Sequence, residues 1–533
     1  MRHVNAGAVL LLAGAMLAGS VRAAQDTATR NFEKTLTLGA NQTLSLESKF
    51  GEVRIHGENG REAKITATIR AQAGSQDQAN KYVEEIRIEV SQDAEGIKVK
   101  TVYPEDHVVL RIHKGSSYSV DYDIAIPVDA KLWVRSGFGN LEVRGVQGWA
   151  DIENGHGQLI SRDSGSTRLV NSFGSVEVAG ATGNVWVVNN NGSVQVSTVK
   201  GALDVKDRFA SITVNNVDGP VVVSGGNGAV EVTDTGAATI SNSFGSVTAK
   251  NIHGNLTVNN NNGLIEVSTV EGSATLTGSF GAINFANVSG YVKCTSSNGK
   301  VRGGPTGSDA YVKTTFGEVS VEQIGGALTV ENSNGNITAK EVKGKAEFST
   351  SFGSIDASGL RKGVKATTGN GRISLTDTGG DAYAKTSFGS VNVQRVNGNL
   401  RVENSNGPVV ADSVSGEASA KMSFGAVTLD DVGGSITVDN QNGAVTVSEA
   451  RTSTKCNAVT IKTSFSPIQV RIAEGGNYSV SARTSFGRIN SELPITTSGQ
   501  IGGDSLNGKI GNGGCALSLT NSNGNIEILK LAK

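Results

Sequence analysis

Cysteine, proline and aromatic residues are all scarce in this chain of 533 residues, which holds 3 Cys, 7 Pro and 5% Phe, Tyr and Trp. Three cysteines are too few for disulfides to be the main source of stability, and an odd number leaves at least one unpaired within the chain. A dominant charge is missing as well: 48 basic and 49 acidic residues give a formal net charge of -1. That balance offers no basic field for nucleic acid and no polyacidic tail. After the first two dozen residues no run approaches the ~18 apolar residues of a membrane-spanning helix. Glycine alone is plentiful, at 69 residues. So much glycine with so few aromatics is unusual for ordinary globular domains and points first to an internal repeat.

Residues 1–24 read as a signal peptide. Arg2 and His3 precede an apolar run over residues 8–18, followed by small residues and Val21-Arg22-Ala23. The mature chain is expected to begin near Ala24 or Gln25. Ser20 stands where a lipoprotein would carry its cysteine, so lipid anchoring is not expected. Export places the product in an oxidising compartment, periplasmic or at the cell surface.

The repeat is marked by Phe-Gly at Phe138, Phe173, Phe244, Phe280, Phe316, Phe352, Phe388 and Phe424, with Phe209-Ala210 filling the one gap. Midway between these fall Asn-Gly pairs at Asn191, Asn227, Asn262, Asn298, Asn334, Asn370, Asn406 and Asn442, and His156-Gly157 occupies the first such slot. The unit is therefore 18 residues in two alternating versions. Counting from Phe388, apolar residues stand at +3, +5 and +8 (Val391, Val393, Val396), glycine at +10 (Gly398), and apolar residues again at +12 and +14 (Leu400, Val402). Two short strands of period 2, separated by glycine turns, describe one coil of a parallel, single-stranded β-solenoid. A coil buries too little by itself and must stack in register on its neighbours. Some 22 anchors at ~4.8 Å predict a rod roughly 100 Å long. Alanine pairs such as Ala382 and Ala384 often precede Phe-Gly, which predicts that each anchor phenylalanine turns inward to fill their volume. Cys294 falls on an inward position and is expected to be buried and free, while Cys456 and Cys515 can bridge near the C-terminal end. A 36-residue coil that stacks phenylalanine on phenylalanine is the alternative.

The segment 25–130 holds strand-like runs at 35–38, 44–46, 64–69 and 86–90, one helix over 76–85, and an early anchor at Phe50-Gly51. It is expected to form an N-terminal β-rich cap. Regular solenoid is assigned to 131–450, and irregular coils with a second cap to 451–533, where Pro467 and Pro494 fall. The Ile126-Pro127 step, the stretch Ser136-Gly137-Phe138-Gly139-Asn140-Leu141-Glu142-Val143 and the repeating Val-x-Gly-x-Leu-x-Val-x-Asn-x-Asn-Gly together resemble the bacterial putative-adhesin family of β-strand repeats, also called toastrack domains. The resemblance spans essentially the mature chain. It implies an extracytoplasmic β-helical protein with an adhesive or envelope-signalling role, and it carries no catalytic motif.

The array carries no recognisable catalytic motif. Its lack of insertions leaves no walls for a substrate cleft. Asp430-Asp431 and Glu84-Glu85 are adjacent carboxylates, and neighbours on a strand point to opposite faces, so they read as solvated rather than as an acid and base pair. The histidines (His3, His56, His107, His113, His156, His253) are scattered; His107 and His113 could face each other across a hairpin, but metal binding is not expected there. Gly225-Gly226-Asn227-Gly228 lacks the aspartate of a calcium-binding nonapeptide. Asparagine runs at 189–191 and 259–262 read as side chains that satisfy turn backbone, with an external sugar-binding ladder as the alternative. The expectation is an exported protein that is not an enzyme, without catalytic residues, metal or cofactor. It would serve as an adhesin-like or structural scaffold whose partner is a protein or glycan of the envelope or surface, with end-to-end self-association as a further contact and no nucleic acid. A regulatory module recognising through 25–130 is the alternative, and a polysaccharide-active β-helix enzyme a remote one.

Overall fold

The computed structural model describes residues 26–104, 117–449, 456–497 and 503–531. The leader at 1–24, His3, His107 and His113 lie outside the described residues. The chain forms two compact units, Met1–Gly148 and Trp149–Lys533. Among the described residues every element is a strand except one helix, Gln76–Glu85, at the position its sequence predicts. Ser75 caps that helix by accepting from the Gln78 amide, and Ala79 and Val83 bury its inner face. No helix among the described residues is long and apolar enough to cross a membrane.

In Trp149–Lys533 the chain winds as a parallel β-solenoid of 18-residue coils. One coil supplies two strands, for instance Val247–Ile252 and Leu256–Asn262. Val247 pairs with Ile265 and Ile265 with Ile283, while Phe244 pairs with Asn262 and Asn262 with Phe280. Phenylalanine thus stacks on asparagine, which settles the coil at 18 and excludes the 36-residue alternative. Val247, Ala249, Ile252, Leu256 and Val258 are buried, at the five apolar positions read from the repeat. The sixth inward position, +16, is polar: Asn260 is buried there, and Asn332, Thr368 and Asn404 are its equivalents. Cys294 is buried in register between Leu276 and Val312. Burial pushes its thiol up to about 12, so it packs as a small apolar group.

The inward phenylalanine expected from the alanine pairs is not found. Every anchor phenylalanine lies on the outside, and size is compensated in the core instead. The buried Phe285 ring takes the space that a side chain at Gly303, its partner in the next coil, would need. Where Ala418 and Ala420 are both small, Met422 replaces the usual asparagine or threonine at +16 and is buried.

The turns also differ from expectation. The glycine after most anchors does need positive φ: Gly281 has φ +124, and a Cβ on it would stand 2.2 Å from the Gly263 carbonyl oxygen. The glycine at +10 needs close approach only, as at Gly416, whose Cβ would fall 2.7 Å from the Gly398 oxygen at an ordinary φ. The left-handed corner sits at +7 and is held mostly by other residues, including Asn251, Thr269, Glu341, Asp377 and Arg395, with φ between 52 and 57. Neighbouring coils hold these residues in place despite the steric cost of about 1–2 kcal/mol each.

At the C-terminal end the order of coils is inverted. Cys515–Asn523 inserts between Val459–Phe465 and Tyr478–Phe486, parallel to both. Ile526–Lys530 inserts likewise between Ile468–Ile472 and Ile489–Ser491. Ser505–Ile510 then runs antiparallel to the outer side of Tyr478–Phe486. A disulfide joins Cys456 to Cys515, with Cα atoms 5.8 Å apart, and ties the inserted strand to the last regular coil. The other unit uses the same device. Thr43–Phe50 lies between Gly96–Val102 and Lys131–Phe138, and Val53–Glu58 between Ser117–Pro127 and Leu141–Arg144. Phe50 pairs with Phe138, as an early anchor should. Antiparallel Glu62–Ala73 and Asp26–Thr37 extend that sheet, and the helix lies against both.

Gly281→Ala is expected to destabilise its coil by about 3 kcal/mol, because both the φ and the approach to Gly263 forbid a Cβ. Hydrogen exchange should show roughly 100-fold lower amide protection in Leu256–Asn262 and Ile283–Val288; unchanged protection would refute this account of the corner.

Candidate functional site

Exposed phenylalanines form a single ladder along the solenoid. Phe173, Phe209, Phe244, Phe280, Phe316, Phe352, Phe388, Phe424, Phe465 and Phe486 are each between 50% and 75% exposed. They point outward because the chain bends between +16 and the anchor. The side chain at +16 is inside, the next two residues are outside, and the strand's alternation is broken at the corner. In register, asparagine rungs separate the phenylalanines: Phe244, Asn262, Phe280, Asn298, Phe316, Asn334 and Phe352 follow one another on adjacent strands. With strands ~4.8 Å apart, the rings recur every ~9.6 Å. His156 stacks on Phe173 at 4.7 Å with the rings 3° from parallel, so it occupies an anchor rung as its sequence position implied.

A second, internal ladder holds this corner in shape. Asn260, Asn332 and Asn404 each donate 2.9 Å bonds to the glycine carbonyl of the preceding coil, at Gly245, Gly317 and Gly389. Thr368 does the same to Gly353 at 2.9 Å. The asparagine runs therefore split in role. Asn189 and Asn260 satisfy turn backbone from inside, while Asn191 and Asn262 are rungs of the outer ladder. One internal rung departs from the pattern: Asp207, in the coil of Phe209-Ala210, is buried and accepts from the Ala210 amide at 2.9 Å. Burial pushes its carboxyl up to about 6, with the Ala210 amide pulling the other way.

Charge on the exterior is cancelled at several places along the stack, although Asp412 pairs with Asp430. Residues 18 apart are neighbours, and opposite signs meet: Lys200 with Asp218 at 3.0 Å, Lys313 with Glu331 at 3.0 Å, and Lys365 with Glu347 at 2.6 Å. The histidines stay apart, His56 with Glu58 and Asp123, His253 with Glu271. No cluster of metal-ligand type occurs among the described residues. Asp430 and Asp431 are held by serines, Asp430 by the Ser448 hydroxyl and Asp431 by Ser413 at 3.4 Å.

A shallow groove of about 960 Å³ opens along the left-handed corner, where Gly359 and Gly379 withdraw side chains between Lys343, Arg361 and Arg395. Its carboxylates are Glu341 and Asp377. The Arg395 guanidinium, bound to Asp377 at 2.5 Å and 3.1 Å, holds that carboxyl below its ordinary value.

Comparison with known proteins adds little to this geometry. No family model and no curated protein matches the chain. A solved structure described as a putative cell adhesion protein from Clostridium sporogenes aligns with 43% of this chain and 99% of its own, at 10% identity and a TM-score of 0.18. A likeness that low carries no functional argument.

The internal ladder yields a pH test. A carboxyl whose folded pKa is raised stabilises the fold at low pH and loses that contribution as pH rises from the ordinary 3.8 to about 6. Asp207→Asn supplies the residue of the preceding rung, Asn189, and is expected to raise the melting temperature at pH 7.5 by roughly 2 °C or more, with little change at pH 4. A variant less stable than the parent at pH 7.5 would contradict this reading of Asp207.

Proposed function

We propose that this chain is an exported, non-enzymatic β-solenoid of the bacterial envelope or surface, acting as an adhesive or structural scaffold of the kind its toastrack resemblance implies. The observation that carries the reading is the ladder of ten half-exposed phenylalanines with asparagine rungs between them, since a protein working as a monomer rarely aligns so many large apolar side chains in water. Export is supported by the leader-like residues 1–24 and by the Cys456–Cys515 bridge, which persists best in an oxidising compartment. A non-enzymatic role is favoured because the acidic groups of the groove are engaged or spread along a shallow surface, without loops to exclude water. A second reading, recognition through the N-terminal unit, is favoured by a groove of about 800 Å³ lined by Trp133, Glu47, Glu89, Lys98 and Lys100.

The test compares the mature chain with the variant Phe280→Asn, Phe316→Asn, Phe352→Asn in pull-downs on envelope fractions and surface glycans. Asparagine already occupies the alternate rungs, so the fold should tolerate it. The expected result is about a tenfold loss of binding, an N-terminus near Ala24 or Gln25 by mass spectrometry, and no turnover of any glycan in a broad panel. Undiminished binding by the variant would shift recognition to the N-terminal unit, and a chain retaining Met1 in the cytosolic fraction would end the export reading.

A further inference from the structure

We infer that the phenylalanine ladder is the contact surface for a second copy of this chain, the two solenoids lying side by side and antiparallel with their rungs interdigitated. This rests on the ladder being a working contact surface, as proposed above, and names its occupant.

Area is the first argument. Ten rings exposed between 50% and 75% present about 1,100 Å² of apolar surface if each ring contributes ~200 Å² when free. Spread along the ladder between asparagine rungs, that area reaches the ~800 Å² per partner of a stable interface. Composition is the second. In each triplet of rung and flanking residues from Ser172 to Gly524, serine, glycine, asparagine and threonine prevail, and Arg208 is the one charged residue. Such depletion of charge marks the centre of an interface, whereas lysine is what solvent-exposed β surfaces use to stay apart. A net charge of -1 adds no repulsion between copies.

The third argument is commensurability. A partner that engages rung after rung over the full length needs the same ~9.6 Å period as the rings, and small mismatches would accumulate until contact is lost. A second copy has that period by identity. Phenylalanine and asparagine alternate, so a two-fold axis passing between a phenylalanine rung and its asparagine neighbour, such as Phe316 and Asn334, sets every phenylalanine of one copy against an asparagine of the other. Rings from the two copies then alternate at ~4.8 Å along the seam, within the range of stacked aromatic pairs. The parallel arrangement lacks this isologous closure.

Sedimentation velocity and cross-linking on the full mature chain test the pairing. The parent is expected to sediment as a dimer at about 10 μM, and the variant Phe280→Asn, Phe316→Asn, Phe352→Asn as a monomer with an unchanged melting curve, its dimer weakened about 100-fold or more. In a Cys294→Ala background, Thr315→Cys and Ser333→Cys chains mixed together should form the heterodimeric disulfide faster than Thr315→Cys forms it with itself. A monomeric parent, or a dimer that survives the triple substitution, overturns the pairing. A monomeric parent whose triple variant still loses surface binding overturns the pairing and leaves the adhesive reading standing. A dimer that the triple substitution dissociates while surface binding persists keeps the pairing and removes the ladder from adhesion.

Discussion

Everything in the solenoid depends on backbones of successive coils running in register at strand spacing. Each strand's amides and carbonyls are satisfied by the coil before and the coil after, so a coil's stability lies in its neighbours rather than in itself. The glycines follow from that constraint. At Gly281 and Gly416 the preceding coil's backbone lies within 3 Å of where a Cβ would be, and the chain has no room for a side chain at the corners it must stack. The left-handed residues at +7 follow from it too. Thr269 sits in a conformation it would avoid in isolation, held there between Ser268 and Val270, which pair with the coils on both sides.

Register turns each position of the repeat into a row, and a row multiplies whatever chemistry a residue carries. Like charges stacked at strand spacing would repel; at Lys365 and Glu347 or Lys200 and Asp218 the exterior sets opposite signs 18 residues apart, while Asp430, paired with Asp412, is held by the Ser448 hydroxyl. Inward polar groups would be costly row after row without partners, and Asn260, Asn332 and Asn404 find theirs in the glycine carbonyls that the corners leave available. Asp207 shows what a misfit in such a row entails: the same place, a carboxyl instead of an amide, and a raised pKa. A row must also end, and the ends expose unpaired edges. Inserting Cys515–Asn523 beneath Tyr478–Phe486, and Thr43–Phe50 beneath Gly96–Val102, buries a segment close to each chain end inside the sheet, so fraying requires breaking two ladders instead of one.

The 18-residue coil, five of its six inward positions, the buried Cys294, the helix 76–85 and the early anchor at Phe50 were legible from spacing alone, because apolar periodicity reports directly on which face is buried. The direction of the anchor phenylalanines was not. Counting by twos from +12 through +14 and +16 carries an inward phase onto the anchor, and a corner that interrupts the count cannot be seen in apolar spacing. The composition at +16 held the missing signal. Asparagine and threonine recur there, at Asn260, Asn332, Thr368 and Asn404, and side chains that habitually satisfy turn backbone mark the inside of a bend. Position +7 held a similar one in Asn251, Asn287 and Asp377, types that tolerate left-handed backbone. The inverted order at both ends had no sequence signal, because a strand's apolar pattern is the same whether it stacks next in line or one place further on.

That distinction explains why the candidate site resists motif reasoning. A catalytic centre announces itself through a few unusual residues at one place, whereas here each rung is ordinary: one exposed phenylalanine beside a serine is a common surface feature. The property of interest exists only at the scale of the array, where ten such rings share a line, a spacing and an absence of charge. Selection acting on a surface of this kind would preserve the period and the rung type while leaving individual residues free. The substitution of His156 at one rung and the irregular coil at Phe209-Ala210 are deviations such a surface absorbs, since losing one rung of many leaves the seam continuous. The ladder is therefore a consequence of the same register that holds the fold together.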